Sequence, residues 1–277
     1  MLLFHKVSRH CGRIAAEEYS TSFASAIRLL HRDMRDPVYS IYGFVRFADE
    51  IVDTFHDYDR GSLLTAFREE TFAAIRQGLS LNPIVHGFQL TVRQFDIDES
   101  LIRAFFNSME TDLHCGEHDS GSYETYIYGS AEVVGLMCLR VFCEGNESLY
   151  QRLVPYARSL GAGFQKINFL RDLNADYRQL NRTYFPGMKF GIFTADMKRQ
   201  IEDDIQNDFR KAASGIPLLP LKARFGVYVA YKYYLSLFEK IKRIQPARML
   251  EERIRVPNYR KMMILLGAGL KNQLNLI

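Results

Sequence analysis

The segment Tyr42-Gly43-Phe44-Val45-Arg46-Phe47-Ala48-Asp49-Glu50-Ile51-Val52-Asp53 constrains the fold more than any other stretch of the chain. Wound as an α-helix at about 100° per residue, it brings Tyr42, Arg46, Asp49 and Asp53 within roughly 60° of one another. Ile41, Phe44, Phe47, Ala48, Ile51 and Phe55 cover most of the remaining circumference. A helix that is apolar nearly all round belongs in the interior of a large helical protein. Two carboxylates one turn apart in that setting are costly unless something cationic neutralises them.

The segment from Gly161 to Asp176 repeats the pattern. Gln165, Asn168, Asp172 and Asp176 form a stripe roughly 80° wide, with Leu160, Ile167 and Leu170 facing the other way. Every side chain in this stripe offers an oxygen, the hard ligand that magnesium prefers. Gly161 and Gly163 remove side chains just before the first of these residues, so a substrate chain or a neighbouring helix can approach. A single carboxylate pair at i,i+4 is ordinary on a solvated helix face. Two such pairs, each on an apolar helix with polar partners in register, point to a cage. Facing each other across a bundle, Asp49, Asp53, Asp172 and Asp176 would hold divalent ions, and those ions a diphosphate that an acidic surface alone would repel.

The rest of the chain is compatible with one all-α domain over residues 1–277. Apolar residues recur at three- and four-residue spacing, and strict alternation over strand length is rare. Asp36-Pro37 and Asn82-Pro83 read as helix openings, and Asp98-Glu99-Ser100 as a cap. Gly116 to Ser122 and Pro186 to Gly191 read as loops. A helix is expected from about Thr194, a long aromatic one between Pro220 and Lys242, and a last one after Pro257. No repeat at solenoid period and no low-complexity tract interrupts the pattern.

Composition narrows the function classes. The balance of 36 basic against 32 acidic residues, a net +4, lacks the concentrated basic stripe of a nucleic-acid binder, and no nucleic-acid partner is expected. No apolar run approaches the length of a membrane span, and the apolar stretch at the N-terminus is too short for a signal-peptide core. Cys11, Cys115, Cys138 and Cys143 contain no CxxC pair and suit reduced thiols in the cytoplasm. His114-Cys115-Gly116-Glu117-His118 has metal-ligand residue types, but without a second cysteine pair it reads as a solvated helix end. The 20 Phe and 16 Tyr suit a deep apolar pocket and equally a heavy core.

Taken together, these residues resemble the squalene/phytoene synthases, over nearly the whole chain from about Ser8 to Lys261. The family's first aspartate motif is matched by Asp49-Glu50-Ile51-Val52-Asp53, with Glu50 where many relatives have a second aspartate. Its second is matched by Asn168-Phe169-Leu170-Arg171-Asp172-Leu173-Asn174-Ala175-Asp176, followed by Arg182-Thr183-Tyr184-Phe185-Pro186. Tyr19-Ser20-Thr21-Ser22-Phe23 resembles the serine-rich flap at the diphosphate, and Tyr128-Gly129-Ser130-Ala131-Glu132-Val133-Val134-Gly135 the segment lining the prenyl channel.

The resemblance implies an all-α bundle of the isoprenoid synthase type around a central prenyl-diphosphate cavity. It implies a magnesium-dependent (or manganese-dependent) head-to-head condensation of two prenyl diphosphates through a cyclopropyl diphosphate. Asp49, Asp53, Asn168, Asp172 and Asp176 would ligate metal. Ser20, Ser22, Phe23, Tyr42, Arg46, Gln165, Asn168, Arg171, Arg182 and Lys261 would bind substrate, and Tyr128, Tyr184 or the diphosphate itself would take the proton. The wording of the motifs is most similar to bacterial phytoene synthases. Geranylgeranyl diphosphate is therefore the expected substrate and phytoene, a carotenoid precursor, the expected product. Farnesyl diphosphate giving dehydrosqualene or squalene is the alternative, and a non-catalytic lipid-binding role a more distant one. No nicotinamide cofactor is expected. Tyr228, Tyr231, Tyr233 and Tyr234 are expected to pack. A cytoplasmic enzyme making a long hydrocarbon would touch the inner face of the membrane transiently to release it.

Overall fold

The computed structural model describes residues 1–114, 119–180, 182–188, 192–251, 254 and 258–273. In chain order the helices are α1 (Leu2–Tyr19), α2 (Thr21–Ile27), α3 (Arg32–Asp53), α4 (Arg60–Gln77), α5 (Pro83–Phe95) and α6 (Glu99–His114). After them come α7 (Ser120–Ile127), a π-helical turn (Tyr128–Glu132), α8 (Val133–Cys143) and the long α9 (Glu147–Leu180). The chain then runs through α10 (Ala195–Gly215), a 3₁₀ turn (Ile216–Leu218), α11 (Leu221–Lys242), α12 (Pro246–Met249) and α13 (Asn258–Gln273). Residues 115–118 of the His/Cys cluster, residues 189–191 and the Lys261 side chain lie outside the described residues.

Local chemistry sets most of the helix starts. Asn82 accepts hydrogen bonds from the Ile84 and Val85 amides with Pro83 in the first turn, Asp59 caps α4, and Thr194 caps α10. Each satisfies an amide that the helix itself leaves without a partner. Asp36-Pro37 does not open a helix. α3 begins at Arg32, capped by His31, and Pro37 lies inside it. Pro37 lacks only the one N–H that would reach back to Asp33, and the burial of α3 outweighs that loss. Gly116 to Ser122 is likewise not all loop, because Asp119 caps α7 from Ser120 onward.

The two larger apolar cores among the described residues hold most of the bundle. In the first, Phe44 of α3 stacks on Phe88 of α5 at 3.8 Å between ring centres, beside the fully buried Phe105 and Phe106 of α6. In the second, Ile167 and Leu170 of α9 pack with Phe209 of α10 and Phe238 of α11. α3 is less uniformly buried and shorter than its pattern suggests: Phe47 faces solvent, and Phe55, also exposed, lies beyond the helix end at Asp53. α1 crosses α3 closely, since a Cβ on Gly12 would sit 2.9 Å from the Tyr39 carbonyl oxygen. On α9 a Cβ on Gly161 would lie 2.7 Å from the Ala131 carbonyl oxygen, so the absent side chain admits the neighbouring helix. The continuous stretch Ser120–Cys143 is long and apolar enough to cross a membrane by composition, yet 56% of its apolar window is buried among the other helices. That burial is the mark of a core helix.

Candidate active site

Between the two cores lies a cavity of about 530 Å³. Tyr42, Arg46, Asp49 and Asp53 of α3 line it, together with Gln165, Asn168, Arg171, Asp172 and Asp176 of α9. Both stripes therefore reach one space, as their helical spacing requires. Ser20 and Phe23 at the start of α2 also line it, as do Phe169 and Tyr184. Ser20 caps α2 by accepting from the Phe23 amide at 3.2 Å. Ser22 is absent from the lining. A second groove of about 830 Å³, lined by α4 and α6 residues such as Arg68 and Arg103, contains neither stripe.

The four aspartates repel one another. Burial, and next the charge of Asp53, pushes the Asp49 carboxyl up to about 8. Burial, then Asp172 and then Asp53 across from it on α3, pushes Asp176 up to about 8 as well. Coupling between Asp176 and Asp53 shows that the two stripes share one electrostatic field. Carboxyls that burial and neighbouring like charge keep protonated at neutral pH suit a divalent cation, which would replace those protons. Among the described residues no three His, Cys, Asp or Glu side chains form a ready-made ligand set. Hard oxygen donors that are sparse in this way fit magnesium, which takes few carboxylates and completes its shell with water and phosphate oxygens.

The arginines are tied to these carboxylates. Arg46 donates to Glu50 at 2.5 Å, lies 4.0 Å from Asp49, and its guanidinium sits 4.3 Å from the centre of the Tyr19 ring. Arg171 pairs with its neighbour Asp172. Arg182 is absent from the lining. It is buried, donates to Asp53 at 2.8 Å and to the Tyr184 hydroxyl at 3.4 Å, and lies 3.8 Å from Asp112. In this arrangement Arg182 is paired with carboxylates of both α3 and α6.

Aromatic rings form much of the wall. Phe23 meets Tyr42, Phe164 and Tyr234 at 5.6–6.0 Å, and Phe164 stacks on Tyr234 at 3.9 Å. Phe169 stacks on Tyr184 at 4.0 Å. Tyr234 departs from the expected packing role: it lines the cavity and donates to Asn168 Oδ1 at 3.1 Å. Asn168 in turn donates to Gln165 at 3.4 Å, so the amide end of the second stripe is oriented from α11. Leu160, expected to face away, lines the cavity too.

Tyr128 lies outside the lining, and Tyr126 is inside it. The π turn at Tyr128–Glu132 explains the exchange. Its i→i+5 bonds add a residue to the turn, so counting back from Ala131 at α-helical spacing stops short of Tyr126. Tyr126 donates to Asp112 Oδ2 at 2.6 Å. Asp112 also lines the cavity, and burial lifts its carboxyl to about 7 against the lowering effects of Arg182 and Tyr126. Its other oxygen accepts no hydrogen bond. A signal for Asp112 is present in the sequence: it continues the buried stripe Phe105, Ser108, Met109 on α6. A carboxylate in register with core positions is rare and calls for a partner.

The comparisons agree with this geometry. A family model described as squalene/phytoene synthase matches residues 16–260. The 4,4'-diapophytoene synthase of Staphylococcus haemolyticus is 26% identical over 207 residues, covering 72% of this chain and 69% of the relative. The phytoene synthase of Arthrospira platensis is 25% identical over 289 residues, covering 94% and 92%. A crystal structure of a dehydrosqualene synthase in complex with ligand superposes with a TM-score of 0.83 at 19% identity, covering 97% of this chain and 98% of that one. At that identity the superposition carries the fold.

Proposed function

The chain belongs to the squalene/phytoene synthase family and is a prenyltransferase of that type, and we propose that it condenses two farnesyl diphosphates head to head into a thirty-carbon hydrocarbon. What supports the chain length is the likeness to relatives; the cavity lined by both stripes is where the two prenyl chains would lie. The names of the staphylococcal relative and of the dehydrosqualene synthase structure support the same choice. Geranylgeranyl diphosphate, which the motifs suggested, remains the second reading, favoured by the match to nearly the full length of the Arthrospira phytoene synthase.

Asp49, Asp53, Asp172 and Asp176, with Asn168, would hold the magnesium or manganese. A bound divalent ion supplies Lewis-acid stabilisation of the departing diphosphate. Arg46 and Arg171 place positive charge beside the same oxygens. Phe23, Tyr42, Phe164 and Phe169 keep water from the allylic cation and present ring faces to it. Asp112 with Tyr126, or Tyr184, would receive the proton released on forming the cyclopropyl diphosphate.

Incubation of the protein with magnesium and each diphosphate in turn, with and without a nicotinamide reductant, tests the proposal. Mass spectrometry is expected to find a thirty-carbon product from farnesyl diphosphate. A forty-carbon product from geranylgeranyl diphosphate alone would establish the second reading, and no diphosphate release from either, by a folded sample, would refute both.

A further inference from the structure

We propose that Glu50, the member of the first acidic motif that faces away from the cavity, is a positioning residue: it holds Arg46 off Asp49 and so keeps the Asp49 carboxylate open to a divalent cation. This rests on the reading of Asp49 as a metal ligand.

Helical rotation separates the members of the motif. Asp49 and Asp53 line the cavity, as do Tyr42 and Arg46, and Glu50 does not. One residue beyond Asp49, Glu50 is turned about 100° round α3. Its carboxylate is engaged within the protein. Oε2 accepts from Arg46 Nη2 at 2.5 Å and Oε1 from the Thr54 hydroxyl at 2.7 Å, and the Tyr19 hydroxyl interacts with it as well. Burial works to raise the Glu50 carboxyl, yet the hydrogen bonds from Thr54 and Arg46 hold it below its ordinary value. Glu50 is therefore ionised at neutral pH.

Arg46 is the shared partner. Asp49 follows it by three residues and Glu50 by four, so both carboxylates can compete for one guanidinium on the same helix. Glu50 has the contact: Arg46 Nη1 stops 4.0 Å from Asp49 Oδ2, beyond hydrogen-bond length. The Tyr19 ring lies 4.3 Å from the guanidinium carbon. With Glu50 at one edge and this ring on its face, the guanidinium is held short of Asp49. An arginine paired fully with Asp49 would cover the oxygens that a hard cation needs. The influence runs through Arg46 more than through the charge of Glu50 itself. At the Asp49 carboxyl burial acts most strongly, and the charges of Asp53, Arg46 and Asp112 each outweigh that of Glu50.

A double-mutant cycle on magnesium binding tests the proposal. Magnesium alone, without substrate, is titrated against the melting temperature of the unsubstituted protein, Glu50→Gln, Arg46→Met and the pair of substitutions together. In Glu50→Gln the guanidinium keeps Asp49 as its one charged neighbour on the helix, and the half-saturating magnesium concentration is expected to rise about tenfold. In the Arg46→Met background the same substitution is expected to change it by less than about twofold, because no guanidinium remains to compete. Thr54→Val strips one hydrogen bond from Glu50 and leaves every charge in place. It should shift the magnesium requirement in the same direction, and it carries the test if Glu50→Gln fails to fold by circular dichroism. An equal rise in both backgrounds would overturn the proposal, because Glu50 would then act by its own charge, as a ligand, or through general loosening of α3. So would an unchanged requirement in Glu50→Gln, or in Thr54→Val where that variant stands alone. Asp49→Asn separates the two readings: a magnesium response that it leaves intact, or none in the unsubstituted protein, refutes the ligand assignment and the role of Glu50 with it.

Discussion

Tyr126 donates its phenolic hydrogen to Asp112 at 2.6 Å, both side chains buried and both on the cavity wall. The bond joins α7 to α6, and Arg182 carries it on to Asp53, so the cavity floor is coupled to the first aspartate stripe.

Asp112→Asn keeps the shape and the bond to Tyr126 but removes the carboxylate's capacity to take a proton. Turnover is expected to fall about 100-fold or more, and the melting temperature to fall as well, because Arg182 loses one of its two carboxylate partners. Steady-state diphosphate release and thermal denaturation measure the two. Near-normal turnover would remove Asp112 from the chemistry.

Arg182→Gln should be mainly a stability variant. Arg182 is buried against Asp53 and Asp112, and removing one partner of a buried ion pair costs about 3–5 kcal/mol. Urea unfolding is the measurement. A loss under about 1 kcal/mol would mean that solvent screens the network.

Asp49 and Asp176 set a pH dependence with a definite sign. Their folded values of about 8 lie above the unfolded value of about 4. The folded state therefore binds more protons between those limits, and metal-free stability falls as pH rises through the window. Magnesium replaces the protons, so its gain in melting temperature should be larger at about pH 8.5 than at about pH 6. An equal gain at both would show that the aspartates do not take up the ion.

Tyr234→Phe removes the hydroxyl that donates to Asn168 and also meets Arg171, and keeps the ring stack on Phe164. Stability should fall by about 1 kcal/mol, and the magnesium concentration for half-maximal activity should rise, because Asn168 loses its orienting donor. An unchanged magnesium requirement would leave Tyr234 a wall residue only.

The sequence by itself determined what depends on neighbours along the chain. Tyr42, Arg46, Asp49 and Asp53 share a face because helical rotation is local arithmetic, and so do Gln165, Asn168, Asp172 and Asp176. Caps such as Asn82 and Thr194 are equally local. Tertiary structure decided what depends on separate helices meeting. Arg182 lies 129 residues from the Asp53 it holds, Tyr234 lies 66 from Asn168, and the π turn exchanges Tyr128 for Tyr126. Periodicity places a residue on a face of its own helix; only packing of the bundle decides what that face meets.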